Sequence, residues 1–398
     1  MIGFALNSVL AQSSDSVMTH YLRSEMKVET TQGNSVKFFS VGHDKFEDMF
    51  AEIRKAKHFI HLEYFNFRND SIAGLLFDIL KQKVKEGVEV RAIYDDFGNR
   101  SNNRPISKKM HKALNESGIK LEKYGKPTFP WVTYYYPHDH RKIVVIDGRV
   151  AFTGGMNVAD YYITGTEEVG QWYDLHMHIE GPAVNDLNYI FCDIWYRMTG
   201  ELLVGNRYFP KPVVSGTANM SIVNRELGET KANIRNLFVN MLNGAKKNVK
   251  IINPYFVPTH RVRQALKDAV DRGVDVQIIL SAKSDEPITP EATHYIGNNL
   301  AKRGAKVFLF EGGFHHTKMM IVDDLYATVG SANMDGRSLR CDYEVNTVIY
   351  DGDAVKWLVN HFEKQKESCF QIEKGYWNTR SFGKRFEGWL GNLLTPVM

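Results

Sequence analysis

The chain has 398 residues, 43% hydrophobic and 24% charged, with a formal net charge of +4. That length predicts two or three domains, or one internally duplicated unit. The composition excludes a wholly disordered chain, and the mild basic excess suits an anionic substrate or an anionic membrane surface rather than a nucleic-acid coat.

The first residues, Met1-IGFALNSVLAQSS, place Ile2, Ala5, Leu6, Val9 and Leu10 on one helical face. The run lacks a basic start and is short for a signal peptide, so residues 1–40 form an amphipathic, peripheral segment in this reading. From Ala56 an amphipathic helix passes into the apolar run Phe59-IHLEYFNF, and a second helix leads through Gly87 into Val88-EVRAIY. The same order recurs from Ala245, through Val249-KIINPYFVP and then Gly273-VDVQIIL. Helical periodicity that switches to β-branched runs marks βα units, and their recurrence marks a duplication. The Pro/Gly/Ser-bearing stretch from Tyr208 divides the halves, giving 41–207 and 208–372. In residues 373–398, Phe382, Phe386, Trp389, Leu390, Leu393, Leu394 and Val397 make one apolar stripe beside Lys384 and Arg385. Such a tail either lies in a bilayer interface or docks on the core. No run of about 20 apolar residues occurs, so no spanning helix is expected. Cys192, Cys341 and Cys369 are too few and scattered for a disulfide scaffold and fit a reducing compartment.

The chemistry lies in a third shared block. His140-Arg-Lys142 is followed by four residues, Asp147, six residues and Gly154-Gly155-Met-Asn157; His316-Thr-Lys318 is followed by four residues, Asp323, six residues and Gly330-Ser331-Ala-Asn333. One H-x-K-x4-D is a weak signal, but two copies at equivalent places of a repeat are not chance. In a strand, residues two apart share a face, so each histidine stands beside its lysine. Asp147 and Asp323 fall at the far end of each strand and, from spacing, read as turn or salt-bridge groups. If the halves face each other, lysines, asparagines and a serine converge on one point, as charge building on a phosphoryl group requires. Two histidines can then divide nucleophilic attack and proton donation. His138-Asp-His140 has a metal-ligand look, but the nearby Lys142 would repel a cation; no metal and no cofactor is expected. Tyr134 to Tyr136 and Tyr255-Phe256 read as core fillers. Asp95 and Asp96 read as helix caps, and Glu63 is open between a headgroup contact and a cap.

The doubled block resembles the paired signatures of the phospholipase D superfamily, over roughly Val41 to Ile372. Gln171-WYDLHMHIEGPAV, Asn253-PYFVPT and Val329-GSANMDGRSL narrow the resemblance to bacterial cardiolipin synthases of that type. The resemblance implies an α/β fold of two α-β-α halves with mixed sheets packed around one shared active site. It also implies transfer of a phosphatidyl group from one phosphatidylglycerol to another through a phosphohistidine, with release of glycerol. Its catalytic set would be His140, Lys142, Asp147, His316, Lys318 and Asp323, with His140 attacking and His316 as acid and base. Asn157, Ser331 and Asn333 would bind phosphate oxygens, and Asp174 and Glu344 would each orient a histidine. The protein would sit peripherally on the cytoplasmic face of a bacterial membrane. Gly155 in place of a serine, and Asp342 in place of an asparagine, depart from the pattern. So does the want of the two spanning helices that open the long members. A hydrolytic phospholipase shares this chemistry and differs in its acceptor. A nuclease would call for clustered cations with stacking aromatics, which the sequence does not show.

Overall fold

The computed structural model describes residues 14–125, 137–286, 289–373 and 375–394. The helical face from Ile2 to Leu10, the tyrosines 134–136, Val397 and the side chain of Leu394 lie outside that description.

Apolar runs bounded by glycine become strands. Phe59–Tyr64 and Lys142–Ile146 are buried at every position, the mark of a sheet covered on both faces. In the first half, Phe59–Tyr64, Glu89–Asp95 and Lys120–Tyr124 run parallel. Lys142–Ile146, Val150–Gly154 and His176–Glu180 extend them antiparallel. The second half repeats the plan with parallel Asn248–Ile252, Asp275–Ser281 and Lys306–Phe310. Antiparallel Met319–Val322, Tyr326–Gly330 and Glu344–Ile349 follow.

Alternation along the strands feeds two cores. Val144 and Ile146 pack under the helices Gly42–Lys55 and Ser71–Lys85, whereas Ile143 and Val145 face the opposite layer. That opposite layer holds Ala183–Thr199 and Gly352–Lys366, and its core joins both halves through Ile252, Met319, Ile321 and Leu358. The helices Asn233–Gly244, His260–Asp271 and Thr289–Arg303 cover the second half. Each half is thus α-β-α with a mixed sheet.

One feature differs from the sequence reading, and one bears on an alternative that it left open. Residues 31–39, expected in a peripheral segment, form the strand Thr31–Phe39 at the seam of the molecule. It pairs with His176–Glu180 on one side and Ala218–Arg225 on the other. Among the described residues, fifteen strands therefore make one continuous sheet rather than two separate ones. The C-terminal helix Phe382–Leu394 also does not dock by its apolar stripe: Gly388 and Gly391 are buried, while Phe382, Phe386, Trp389, Leu390 and Leu393 are exposed. No helix among the described residues is long and apolar enough to cross a membrane.

Candidate active site

The segments carrying the two histidines each hydrogen-bond to the opposite half. His140 N donates to the carbonyl of Tyr343 at 3.0 Å, and Tyr343 N donates to the carbonyl of His138 at 2.8 Å. By near-symmetry, His316 N donates to Tyr173 at 2.6 Å and Phe314 N to Gln171 at 2.9 Å. This exchange decides which carboxylate meets which histidine. His140 Nδ1 lies 3.0 Å from Glu344 Oε1, and His316 Nδ1 lies 2.7 Å from Asp174 Oδ2. Each histidine is paired with a carboxylate of the other half, which leaves Nε2 of each ring for a substrate and holds the ring's tautomer.

Both lysines fold back on their own strand. Lys142 Nζ donates to the carbonyl of His140 at 2.6 Å, and Lys318 Nζ to that of His316 at 2.5 Å. Five of the six groups are buried and His140 is partly so, and this burial sets their ionisation. It lowers Lys142 to about 7 and Lys318 to about 8, against the pull of Glu344 and Asp174. Burial raises Asp174 and Glu344 to about 7 each, against the two lysines. Burial and the neighbouring lysines hold His140 and His316 well below the usual histidine range. The lysines and carboxylates are thus poised near neutrality, and an arriving phosphate would favour the protonated lysines and a protonated histidine.

Asn157 and Asn333 line the cavity above these groups, and the Oδ1 of each is buried without a hydrogen-bond partner. Ser331 Oγ donates to Glu344 Oε2. Its counterpart, Gly155, leaves room for Asp174: a Cβ there would stand 2.2 Å from Asp174 Oδ1, so the carboxylate would have to move. Asp147 and Asp323 lie away from this cluster. The carboxylate of Asp147 accepts from the backbone N–H groups of Lys57, His58 and Phe59 at 2.7 to 2.9 Å. Asp323 accepts in the same way from Lys246, Lys247 and Asn248. Both sit at positive φ in the turn after their strand, where aspartate is tolerated.

The cavity encloses about 700 Å³. Its polar wall includes His138, whose Nδ1 is 3.5 Å from Asp95 Oδ1 and whose ring stacks on Phe97. The matching position of the second half is Phe314, packed on Trp172, so the duplicated site is chemically lopsided. Asp95 caps the following helix by accepting from Gly98 N at 2.8 Å, and also accepts from Asp139 N at 2.9 Å. Tyr255 lines the cavity, its hydroxyl donating to Asp285 at 2.6 Å, whereas Phe256 fills the core. The core reading of that aromatic pair therefore fits only Phe256, because neighbouring residues face opposite ways. The sequence reading also missed the support beneath His140. Arg141 is wholly buried and meets Glu63, Asp139 and Glu226. Its signal was the middle position of H-x-K, where the second half has Thr317. Asp342 accepts from Arg337 at 2.9 Å and from His138 N at 3.2 Å.

Comparisons with known proteins identify the family. A family described as "Cardiolipin synthase, PLD-like domain" matches residues 49–195 and 238–366. The cardiolipin synthase of Oceanobacillus iheyensis is 34% identical over 389 residues, spanning 98% of this chain and 80% of that protein. That of Listeria monocytogenes serotype 4b is 33% identical over 371 residues, spanning 92% and 76%. Among solved structures, phosphatidylserine synthase from Haemophilus influenzae superposes with a TM-score of 0.66 at 14% identity, over 91% of this chain and 95% of that one. Polyphosphate kinase from Porphyromonas gingivalis superposes with a TM-score of 0.57 at 12% identity, over 86% and 49%. These two share the fold. With the matched family covering both halves and relatives aligned along nearly the whole chain, the protein belongs to the cardiolipin synthase family of duplicated phospholipase D-like proteins.

Proposed function

We propose that this cavity joins two phosphatidylglycerols into cardiolipin, with His140, Lys142, His316 and Lys318 as the groups that act on the phosphodiester. The observation that carries the proposal is the crossed pairing of two histidines with two carboxylates around one cavity. The enzyme is a phosphatidyltransferase acting on phospholipids, and its family works through a phosphohistidine.

His140 Nε2 attacks phosphorus of the first phosphatidylglycerol, and the bond from phosphorus to the glycerol oxygen breaks. His316, protonated at Nε2, gives its proton to that oxygen, and glycerol leaves. A hydroxyl of the second lipid then returns a proton to His316 Nε2 as its oxygen attacks phosphorus. The P–N bond to His140 breaks, and cardiolipin departs. Glu344 supports positive charge on His140 and Asp174 that on His316. Lys142, Lys318, Asn157 and Asn333 serve the equatorial oxygens, with Ser331 holding Glu344 in place. Asp147 and Asp323 act on the backbone and not on the substrate.

We place the protein on an anionic bacterial membrane, at the cytoplasmic face. The phospholipid substrate supports the first part and the three unpaired cysteines the second. The reaction is tested by incubating the protein with phosphatidylglycerol vesicles, without added metal, and resolving the lipids by mass spectrometry. Cardiolipin and free glycerol are expected in equal amounts, and both are lost in His140→Ala and in His316→Ala. Phosphatidic acid as the only lipid product, with glycerol released, would make water the acceptor. Substantial turnover with either histidine absent would sink the two-histidine mechanism.

A further inference from the structure

We infer that the outward stripe of the C-terminal helix Phe382–Leu394 is the surface on which this protein rests against an anionic bilayer. The inference rests on the lipid-substrate reading of the cavity. At about 100° per residue, Phe382, Phe386, Trp389, Leu390 and Leu393 fall within roughly one third of the helix circumference. Gly388 and Gly391 fall roughly opposite. The glycines are the buried side: a Cβ on Gly388 would meet Trp377 at 2.6 Å and the carbonyl oxygen of Glu291 at 2.7 Å. The helix is therefore pressed against Thr289–Arg303 through its backbone, which turns Phe382, Phe386, Trp389, Leu390 and Leu393 outward. Phe382 is 84% exposed and Trp389 46%. A helix that only needed to dock on the core would bury these groups first.

Position and charge indicate what covers the stripe. Thr289, the first residue of the helix beneath, lines the active-site cavity, two residues from the Glu291 carbonyl that supports Gly388. The helix that carries the stripe thus stands beside the wall of the active-site cavity. A cavity of about 700 Å³ suits a headgroup and phosphate, so the acyl chains of two lipids remain outside, where an apolar surface meets them. Arg385 is exposed beside Trp389 at the edge of the stripe, while Lys384 is exposed on the glycine side and Glu387 is the one acid of the helix. Exposed aromatic and aliphatic groups with a flanking cation are the makeup of a helix lying in the plane of an anionic interface.

The test compares the full chain with the triple variant Phe382→Ser, Phe386→Ser, Trp389→Ser. Flotation is measured with vesicles of phosphatidylglycerol and phosphatidylcholine, and with phosphatidylcholine alone. Turnover is measured on the mixed vesicles and on short-chain phosphatidylglycerol below its micellar concentration. The unaltered chain is expected to float with the mixed vesicles and only weakly with phosphatidylcholine. The variant should bind the mixed vesicles at least tenfold more weakly and lose vesicle turnover in proportion, while turning over the monomeric lipid within twofold of the unaltered chain. Unchanged vesicle binding overturns the inference. If it comes with a change in oligomeric state, a second copy covers the stripe; if with a lower melting temperature, another segment of the chain covers it. Failure of both proteins to use the monomeric lipid would instead sink the proposed reaction, while the flotation result still decides the helix.

Discussion

The two carboxylates of the site differ by one methylene in a way that fixes two residues at once. Glu344 reaches His140 across the cavity and takes a second hydrogen bond from Ser331. Asp174, one methylene shorter, reaches His316 only because position 155 has no side chain. Gly155 with Asp174 and Ser331 with Glu344 are therefore matched pairs, and the missing hydroxyl in the first half is a steric requirement. Gly155→Ala is expected to push Asp174 off His316 Nδ1 and lower kcat by about a hundredfold, the low end of what a well-held acid–base group contributes. Ser331→Ala creates no clash and removes only one support of Glu344, so its loss should be about tenfold. Steady-state glycerol release compares the two directly. A Gly155→Ala enzyme within twofold of the parent would show that Asp174 does not act through His316.

At the scale of elements, each H-x-K strand is a rod anchored at its far end. Asp147 closes the hairpin between Lys142–Ile146 and Val150–Gly154 and holds three N–H groups at the start of Phe59–Tyr64. Asp147→Ala removes those bonds and leaves a residue poorly suited to φ of 52°. It should destabilise the fold by ~2–3 kcal/mol while leaving kcat per folded molecule unchanged, as thermal melts and active-site titration would show. A kcat fallen a hundredfold in a fully folded variant would return this aspartate to the catalytic set. The hairpins were legible in the sequence because Asp-Gly and Asp-Asp follow unbroken apolar runs. The strand Thr31–Phe39 was not: Thr31-QGNSVKFF has neither a clean alternation nor a β-branched run. Its place comes from pairing with strands roughly 140 and 190 residues away, and such context outweighs local preference.

For the whole molecule, duplication could be read from the repeated motif, and with it the convergence of two histidines and two lysines. The exchange of carboxylates could not, because His140 and Glu344 stand 204 residues apart and spacing says nothing of which half faces which. That exchange puts the site in the dry seam between the halves, so function opposes stability there. Lys142 shows the effect most simply, since burial lowers it from its usual 10.5 to about 7. Folding is opposed by the charged ammonium in full below pH 7, by on the order of 5 kcal/mol. Above pH 7 the folded protein releases the proton while the unfolded chain keeps it, and the opposition shrinks until it vanishes near 10.5. Lys142→Met should therefore abolish turnover yet melt at a higher temperature than the parent. The gap should be widest at pH 6 and narrower at pH 9, as calorimetry at the two pH values would show. A variant that melts lower at pH 6 would mean that Glu344 and the carbonyl of His140 hold the ammonium more firmly than burial resists it. The seam would then be stabilised by its charges.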